Sequence, residues 1–557
     1  MRYFLLILLT CGLAVSPNAN AAGITFSALL GGRGNGYSED TSTDAAVDKE
    51  GNIYIVGNTQ SSDFPATPLG DPAPGGRCFV TKLTPAGGIL YSVSLLDASG
   101  RAIAVNEAGE AVIAGETSGS GFAITNAVQS SVGGQTDAFV AKLTANGELL
   151  FATLHGGSAT EVAFGIAVDR GGNIYATGFT ESNDFPLTPS VLKPTLGGSH
   201  DAFLLKLSPD GSQKLISTYV GGDGYDIGAR VMAARDGTSV YIAGKTASTN
   251  FVGSHVINSA NHRLDAFVVQ IAADTGNLMR MAFLGGTGSD AASGLASDGN
   301  GAIYICGETT SSDFPTTPEA AQPMAGGGTD LFVMKLGADL QALRYSTYLG
   351  GSGDEISTDR TQWLNNTEGG LLFPATRMAV DDLGRATIAS SGESLAFPAR
   401  FAPGAPAIEI GTGQKSFVAR LNLLGTEVDG VLSVGSSQPR GLVITGNTVL
   451  ITGATGFTVY PPFFPTTPGA FNGEYKGNVS DVFITQLSFA RTDPVHPMPP
   501  NDNRANATPI DGIARTFAGS NTGATPEPGG TEAAHGGSPP HIQFGGLTRL
   551  RRKDFSW

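Results

Sequence analysis

Short runs of alternating or continuous hydrophobic residues return many times along the chain. The clearest set lies between residues 164 and 222. It contains "FGIAVD" (Phe164–Asp169), "NIYATGFT" (Asn173–Thr180), "DAFLLKL" (Asp201–Leu207) and "KLISTYVGG" (Lys214–Gly222). Tight turns rich in Gly, Asp and Pro follow the first and third segments, and a long Pro- and Gly-containing loop follows the second. This pattern predicts a four-stranded antiparallel sheet.

The Phe of the third segment shows how often this unit recurs. Its copies are 60 to 66 residues apart, except for one interval of 85. Seven such sheets are typical of a β-propeller, in which each sheet is one blade around a central channel. The seven copies are Phe79, Phe139, Phe203, Phe267, Phe332, Phe417 and Phe483.

The two ends of the repeat region indicate how the ring closes. The first copy of the fourth strand, "ITFSALLGG" at residues 24–32, has no unit before it, and the last third strand, "DVFITQLSF" (Asp481–Phe489), has no fourth strand after it. We therefore expect the N-terminal strand to complete the last blade, which removes the exposed sheet edges. A solenoid would need polar caps instead. The prediction is an all-β, seven-bladed propeller over residues 22–490.

The repeated unit also carries a recognisable consensus. It approximates "AVDxxGNIYxxGxTxSxDFPxTP", followed by "GGxDAFVxKL" and "STYLGG". This resembles the bacterial seven-bladed propeller repeat called the SBBP repeat, over about residues 24–490. The resemblance implies a propeller fold, an exported or surface setting and an interaction role, but no reaction.

The segments outside the repeats have their own signatures. Residues 1–21 read as a signal peptide, because Arg2 precedes the apolar run "YFLLILLTCGLAV" and "ANA" (Ala19–Ala21) supplies a cleavage site. We therefore expect a secreted or cell-surface protein. Residues 491–557 are a Pro- and Gly-rich linker and a segment that resembles the start of a truncated bacterial β-sandwich module, which we expect to be disordered. Alternatively, the basic end "TRLRRKDFSW" is a functional segment.

Composition narrows the class of protein. Gly accounts for 78 of 557 residues and charged residues for only 15%, as expected for turn-rich β structure. The net charge of −16 argues against a nucleic-acid partner. After the signal, no apolar segment is long enough to span a membrane. Cys78 and Cys306 lie in predicted strands and are expected to be buried free thiols.

The propeller topology predicts which face carries binding residues. If the first strand of each blade is innermost, the fourth-to-first and second-to-third connections share one face, here called the long-loop face. Long loops on a rigid scaffold often carry binding residues. Acids of this face can hold Ca²⁺ or remain solvated; no "DxDxDG" loop is present, so no metal or cofactor is predicted, with Ca²⁺ left as an alternative. These acids are Glu39, Asp40, Glu161, Asp226, Asp290, Asp354 and Glu355.

The long interval between Phe332 and Phe417 contains an insertion at Ser357–Arg377, on the same face. It carries Trp363, which can stack on a sugar ring or anchor the insertion to its blade. No catalytic residue is predicted. The predicted ligand-binding residues are Trp363, Asp354, Glu355, Asp226, Asp290 and Glu161.

One further acid is repeated at the start of the third strand. Because an active site is normally used once, we interpret this Asp as architectural, as an acceptor of backbone N–H groups. Its copies are Asp137, Asp201, Asp265, Asp330 and Asp481.

Together these features predict a monomeric binding or scaffold module for extracellular glycan or protein ligands, acting through the long-loop face. Two alternatives remain. An extracellular polysaccharide-acting enzyme, a lyase or a glycosidase, would use a pair of the rim carboxylates. A purely structural spacer would bind nothing.

Overall fold

A computed structural model describes residues 23–32, 38–69, 77–119, 121–189, 191–251, 255–257, 264–355, 376–392, 397–403, 405, 407–410, 415–434, 437–455 and 480–489. Trp363, the predicted signal peptide and the predicted tail lie outside these residues, so the proposed boundaries at residues 22 and 490 stay predictions. Within the described ranges the regular structure is all β, and no helix there is long and apolar enough to cross a membrane.

The described ranges contain 31 strands. In chain order they are β1 (Gly23–Leu30), β2 (Asp40–Val47), β3 (Ile53–Thr59), β4 (Thr67–Leu69), β5 (Arg77–Leu83), β6 (Ile89–Leu96), β7 (Ala98–Val105), β8 (Ala111–Thr117), β9 (Asp137–Leu143), β10 (Leu149–His155), β11 (Glu161–Val168), β12 (Ile174–Thr180), β13 (Asp201–Leu207), β14 (Lys214–Val220), β15 (Asp226–Ala233), β16 (Ser239–Thr246), β17 (His255–Ile257), β18 (Asp265–Ala272), β19 (Leu278–Leu284), β20 (Asp290–Ser297), β21 (Ile303–Thr309), β22 (Asp330–Leu336), β23 (Leu343–Leu349), β24 (Arg377–Val380), β25 (Ala386–Gly392), β26 (Ala407–Ile410), β27 (Lys415–Leu421), β28 (Val428–Val434), β29 (Ser437–Thr445), β30 (Thr448–Thr455) and β31 (Val482–Ser488).

These strands form seven sheets, each with four antiparallel strands, which in blades 1 to 6 follow chain order from the inside outwards. They are the blades of the predicted propeller. Blades 1 to 6 are β2-β3-β5-β6, β7-β8-β9-β10, β11-β12-β13-β14, β15-β16-β18-β19, β20-β21-β22-β23 and β24-β25-β27-β28, and blade 7 is β29-β30-β31-β1.

The ring closes as the sequence predicts. β1 pairs antiparallel with β31, with Ala28 opposite Ile484, so the first strand of the chain is the outer strand of the last blade. The inner strands β2, β7, β11, β15, β20, β24 and β29 each contact the next, and β29 contacts β2. Every inner strand therefore has a neighbour on both sides around the central channel.

Three short strands were not predicted. β4, β17 and β26 lie in the long loops of blades 1, 4 and 6 and pair in parallel with the fourth strand of the same blade. Each has three or four residues, too few for a hydrophobic period to be visible in the sequence. They cover the outer edge of the blade, which would otherwise offer unpaired backbone groups to other chains.

Aromatic pairs attach the long loops to the blades. In blade 5, Phe314 of the "DFP" loop stacks on Phe332 of the third strand with 4.5 Å between ring centroids, and both rings are buried. The recurring Phe-Pro motif is therefore explained by packing. The loop residues that make the equivalent contact in blades 1, 2, 3, 4 and 6 are Phe64, Phe122, Phe185, Phe251 and Phe397.

The opposite face consists of tight turns that link adjacent blades. Gly51 has a φ of 83°, which favours glycine, and Asp48 accepts hydrogen bonds from the Asn52 amide at 2.8 Å and from the Tyr54 hydroxyl at 3.1 Å. The same hydroxyl donates to the Gly109 carbonyl of blade 2 at 2.8 Å. The "DxxGN" motif therefore shapes the turn and ties it to the next blade.

Both thiols are buried, as expected. Cys78 and Cys306 are fully inaccessible and form no disulfide. Burial raises the pKa of both thiols, in the case of Cys306 to about 12. They behave as small core residues rather than as nucleophiles.

Candidate functional site

The predicted acids of the long-loop face start the inner strands, and most of them are buried. Asp226 is fully buried, and its Oδ2 atom accepts hydrogen bonds from the Gly222 amide at 2.8 Å and from the Ser248 hydroxyl at 2.7 Å. These contacts fix the loop that connects blade 3 to blade 4. The equivalent bonds run from Gly157 to Glu161 (2.8 Å), from Gly286 to Asp290 (3.0 Å) and from Gly32 to Asp40 (2.9 Å).

Asp354 and Glu355 are neighbours in sequence but occupy different environments. Glu355 is fully buried and accepts a hydrogen bond from the Gly351 amide at 2.9 Å. Asp354 is exposed and accepts one from the Thr329 amide at 2.7 Å. Of the predicted ligand-binding acids, Asp354 is therefore the one that a ligand reaches without displacing internal contacts.

The third-strand acids lie beside the inner-strand acids and explain the double glycine. Asp201 accepts hydrogen bonds from the Lys193 ammonium at 2.7 Å and from the Gly197 amide at 3.0 Å, as its architectural interpretation requires. A Cβ atom on Gly221 would lie 2.5 Å from Asp226 Oδ2 and 2.7 Å from Asp201 Oδ1. The chain thus passes between two carboxylates with no room for a side chain. The same arrangement recurs at Gly31, Gly156, Gly285 and Gly350.

Burial raises the pKa of these acids. The pKa of Asp201 rises to about 6 although Lys193 opposes the shift, and the pKa of Asp265 rises to about 7 because of burial and the charge of Asp290. Desolvation also raises the pKa of Asp226 and Asp290. Within the described ranges no three His, Cys, Asp or Glu side chains converge so as to hold a metal ion.

At the junction of blades 3 and 4, aromatic rings form a continuous row from the channel to the long-loop face. Phe164 of β11 packs on Phe179 of β12 at 5.9 Å between ring centroids, Phe179 on His200 at 5.3 Å, and His200 on Tyr225 at 5.3 Å. Phe164 and Phe179 are buried, whereas His200 and Tyr225 are half-buried. We call these four residues the aromatic row; its outer end faces solvent.

A lysine near His200 and a glutamate near that lysine have displaced pKa values. Lys245 is buried, and desolvation lowers its pKa to about 8. Glu308 of the next blade has a carboxylate Oε1 atom that is shielded from solvent, and desolvation raises its pKa to about 8 despite the positive charge of Lys245. Desolvation, together with the charge of Lys245, lowers the pKa of His200 to about 4, so His200 is neutral near pH 7.

Further along the inner strands, the position level with Asp44 differs from blade to blade. Three blades carry a charged residue there, and the blade before each of them carries glycine. A Cβ atom on Gly165 would lie 3.0 Å from Arg230 Cα, so this glycine lets the next inner strand approach. From blade 1 to blade 7 the residues at this level are Asp44, Ala102, Gly165, Arg230, Gly294, Arg377 and Gly441.

The two arginines at this level are held by backbone carbonyl groups. Arg230 Nη1 donates to the carbonyl groups of Phe164 at 3.0 Å and Ala229 at 2.9 Å, and Arg377 Nη2 donates to the Thr43 carbonyl at 3.1 Å. The atoms Arg230 Nη2 and Arg377 Nε are buried and have no hydrogen-bond partner within the described ranges. Among the described residues no carboxylate lies within ion-pair distance of either guanidinium.

A third arginine lies nearby. Arg440, at the β-bulge of β29, donates from Nη2 to Gln438 Oε1 at 3.1 Å. Desolvation lowers the pKa of Arg377 to about 9, and the positive charges of Arg230 and Arg440 add to this shift, while Asp44 opposes it. Asp44, Arg230, Arg377 and Arg440 are called the axial cluster below.

Residues 25–65 match the SBBP β-propeller repeat. The matched segment contains β1, β2, β3 and the first "DFP" loop, so it starts one strand before blade 1. The predicted resemblance and the predicted fold are both confirmed. A search of curated proteins gives no significant match.

The solved structures that resemble this chain have little sequence in common with it. Hydrazine synthase of Kuenenia stuttgartiensis has 10% identity and a TM-score of 0.38, covering 74% of this chain and 92% of its own. The WD40 domain of Neurospora crassa Pan2 has 9% identity and a TM-score of 0.39, covering 84% and 97%. BamB from Moraxella catarrhalis has 10% identity and a TM-score of 0.37, covering 84% and 100%.

The aromatic row and the axial cluster were missed by the sequence analysis. Their residues lie where the seven repeats differ from one another, whereas the predictions rest on the positions that the repeats share. The available signal was the presence of Asp44, Arg230 and Arg377 at a level where the other four blades carry Gly or Ala. The axial level becomes visible only when the strand registers are known. Trp363 lies outside the described residues, so its role in ligand binding stays a prediction, as does that of the rim acids.

Proposed function

We propose that this SBBP-repeat propeller is an extracellular binding module and that its ligand, a glycan, binds where the aromatic row reaches the long-loop face. The observation that carries the proposal is the half-buried pair His200 and Tyr225 at the outer end of a four-ring row, next to Lys245 and Glu308. Apolar surface combined with a few polar groups of displaced pKa is characteristic of ligand sites.

The chemistry of this surface suits a sugar. The faces of sugar rings present C–H groups, which pack on aromatic rings, and their hydroxyl groups need donors and acceptors close by. Here the neutral imidazole of His200 and the phenol of Tyr225 supply both ring faces and polar atoms. Because both rings are already packed against a buried neighbour, little side-chain entropy is lost when a ligand binds.

A glycan array tests the proposal. The purified protein is applied with and without Ca²⁺, together with the variants Tyr225→Ala and Trp363→Ala; Phe401→Ala, which removes an exposed ring of blade 6, serves as the matched control. We expect binding to be lost in Tyr225→Ala and kept in Phe401→Ala. Binding lost only in Trp363→Ala would place the site on the insertion instead. If the wild-type protein binds no glycan on the array, the result would contradict the proposal and favour a protein partner or a spacer role.

The displaced pKa values also favour a second candidate, a polysaccharide-acting enzyme. Glu308 and Lys245 both titrate near pH 8 and lie close enough for their charges to interact, which suits an acid and a base. If this candidate is correct, turnover of a polysaccharide should fall by about 100-fold or more in Glu308→Gln, while glycan binding should persist. Binding without turnover in the wild-type protein would rule it out for the glycans that bind.

A further inference from the structure

Among the described residues, the axial cluster contains more guanidinium groups than carboxylates. It has three guanidinium groups and one carboxylate, in a protein with a net charge of −16. The guanidinium groups of Arg230 and Arg377 are bound by neutral carbonyl groups in the described part of the chain. Buried arginines are normally paired with acids, because a desolvated charge is costly. Acids are available throughout this fold, yet in the part of the chain that the structure describes none forms an ion pair with Arg230 or Arg377.

Two buried N–H donors point to the same conclusion. Arg230 Nη2 and Arg377 Nε have no hydrogen-bond partner among the described residues, and leaving a buried charged donor unsatisfied is unfavourable. The two side chains come from different blades, yet they lie close enough for the charge of Arg230 to affect Arg377. Their remaining donors therefore serve one region of the channel.

The position of the Arg377 side chain limits the size of a ligand that the channel can hold. Arg377 belongs to blade 6 and donates to the Thr43 carbonyl of blade 1 at 3.1 Å, so its side chain spans the inner strand of blade 7. This side chain narrows the channel. The region suits a small molecule or the end of a chain rather than a polymer that passes through the ring.

We propose that the axial cluster is a binding site for the oxyanionic group of a small molecule or chain end that enters the channel. Guanidinium groups donate charge-assisted hydrogen bonds to carboxylate, sulfate and phosphate, and these anions share that chemistry. Arg230 and Arg377 supply the donors, Arg440 adds positive charge, and Asp44 gives the site a negative side that disfavours highly charged anions. This site is separate from the aromatic row, and either can exist without the other.

Calorimetric titration of the purified protein with sodium glucuronate, sodium sulfate and sodium phosphate tests the proposal. Glucose and sodium chloride at matched ionic strength are the controls for the sugar ring and for general screening. We expect saturable binding of at least one oxyanion, with one site per chain, and no saturable binding of glucose. Preference for glucuronate identifies a carboxylate ligand, and preference for sulfate or phosphate a tetrahedral one. If none of the three oxyanions binds beyond the chloride control, the proposal is overturned.

Variants locate the site. Arg377→Gln and Arg230→Gln should each weaken oxyanion binding by about tenfold or more. Arg235→Gln removes an exposed arginine from a turn of the opposite face and should bind as the wild type does. Because Arg377 also bonds to blade 1, thermal unfolding checks that each variant is folded, and Arg230→Gln provides the test if Arg377→Gln is not. Unchanged binding in Arg230→Gln, or in a folded Arg377→Gln, would overturn the assignment. Tyr225→Ala should leave these titrations unchanged, so the two sites are tested separately.

Discussion

The inner strands place charge in the protein interior in two ways. At their first position, Asp290 and its equivalents are bonded by loop amides and hydroxyls, and the arrangement recurs around the ring. At the level of Asp44, Arg230 and Arg377 each occur in one blade and, among the described residues, are bonded by carbonyl groups, with donors left over. Both groups place charge inside the protein, but only the first is bonded by amide and hydroxyl donors that recur from blade to blade. The comparison indicates that repeated charges maintain the architecture, whereas single, incompletely bonded charges are available for a ligand.

The largest expected effect is the loss of stability on removing Phe332, a ring that recurs in every blade, compared with removing Tyr225 of the aromatic row. Phe332→Ala should lower the free energy of unfolding by about 3–5 kcal/mol, because it removes a fully buried ring from the core of blade 5. Tyr225→Ala should cost less than about 1 kcal/mol, because Tyr225 is half-buried. Urea unfolding measures both. Equal losses would show that the aromatic row is part of the core.

The next largest effect is the difference in stability between variants of two adjacent acids, Glu355 and Asp354. Glu355→Ala should destabilise the protein by about 2–4 kcal/mol, because the buried Gly351 amide loses its charged acceptor. Asp354→Ala should cost less than about 1 kcal/mol, since an exposed acid and its Thr329 partner are rehydrated. Thermal and urea unfolding of the two variants provide the measurement. A larger loss in Asp354→Ala would reverse the assignment of which acid supports the rim.

Stability should rise as the pH falls from 8 to 6.5. The folded pKa values of Asp265 and Glu308 are about 7 and 8, against 3.8 and 4.5 in the unfolded chain. The folded protein therefore takes up protons in this window and the unfolded chain does not, which adds about 1–3 kcal/mol at pH 6.5. This stabilisation is complete below the unfolded pKa values and is lost as the pH rises through the folded ones.

Two histidines set the lower limit of the pH range in which stability rises as the pH falls. Burial lowers the pKa of His155 to about 3 and that of His200 to about 4, so below pH 6.5 the unfolded chain gains protons that the folded protein excludes. Their effect opposes that of the acids. Urea unfolding at several pH values checks the sign, and Glu308→Gln should flatten the rise between pH 8 and 6.5. A wild-type protein that is more stable at pH 8 than at 6.5 would contradict the burial-raised pKa values.

The smallest expected effect concerns the thiols. Cys78 and Cys306 are inaccessible and burial raises their pKa, so a thiol reagent at pH 8 should not label them in the folded protein and should label both after unfolding. Mass spectrometry after timed labelling measures this. Rapid labelling of Cys306, which lies in the β21 strand beside the channel, would mean that the channel opens to solvent more than its arginines allow.

Strand content was predictable because every blade repeats it. The third strand of blade 3 was predicted at Asp201–Leu207 and is observed there, whereas its inner strand begins at Glu161, three residues before the predicted start. The difference arises because Glu161 is an acid at the end of a strand, and a hydrophobic pattern assigns such a residue to the loop. Its burial depends on the amide of Gly157 and the hydroxyl of Thr180, contacts that no hydrophobic pattern reveals.

The candidate sites were less predictable for a related reason. The rim acids were assigned to the correct face, but whether an acid faces solvent or a loop amide depends on the path of the loop. The level shared by Asp44, Arg230 and Arg377 depends on the register of three separate blades, each with its own bulge or irregular start. Residue type alone shows neither of these features.

The pairing of β1 with β31 also has a consequence for biogenesis. Ser27 bonds to Thr485, 458 residues further along the chain, so the strand that a ribosome makes first can take its place only after the last blade has been made. Until then the nascent chain holds an open ring with a free hydrogen-bonding edge at each end, and closing it means overcoming the entropy of joining two distant ends. A chain that stops before residue 482 lacks the partner strand altogether. Closure of the ring therefore waits for the last strand of blade 7, and a product that ends before that strand retains an unpaired strand edge.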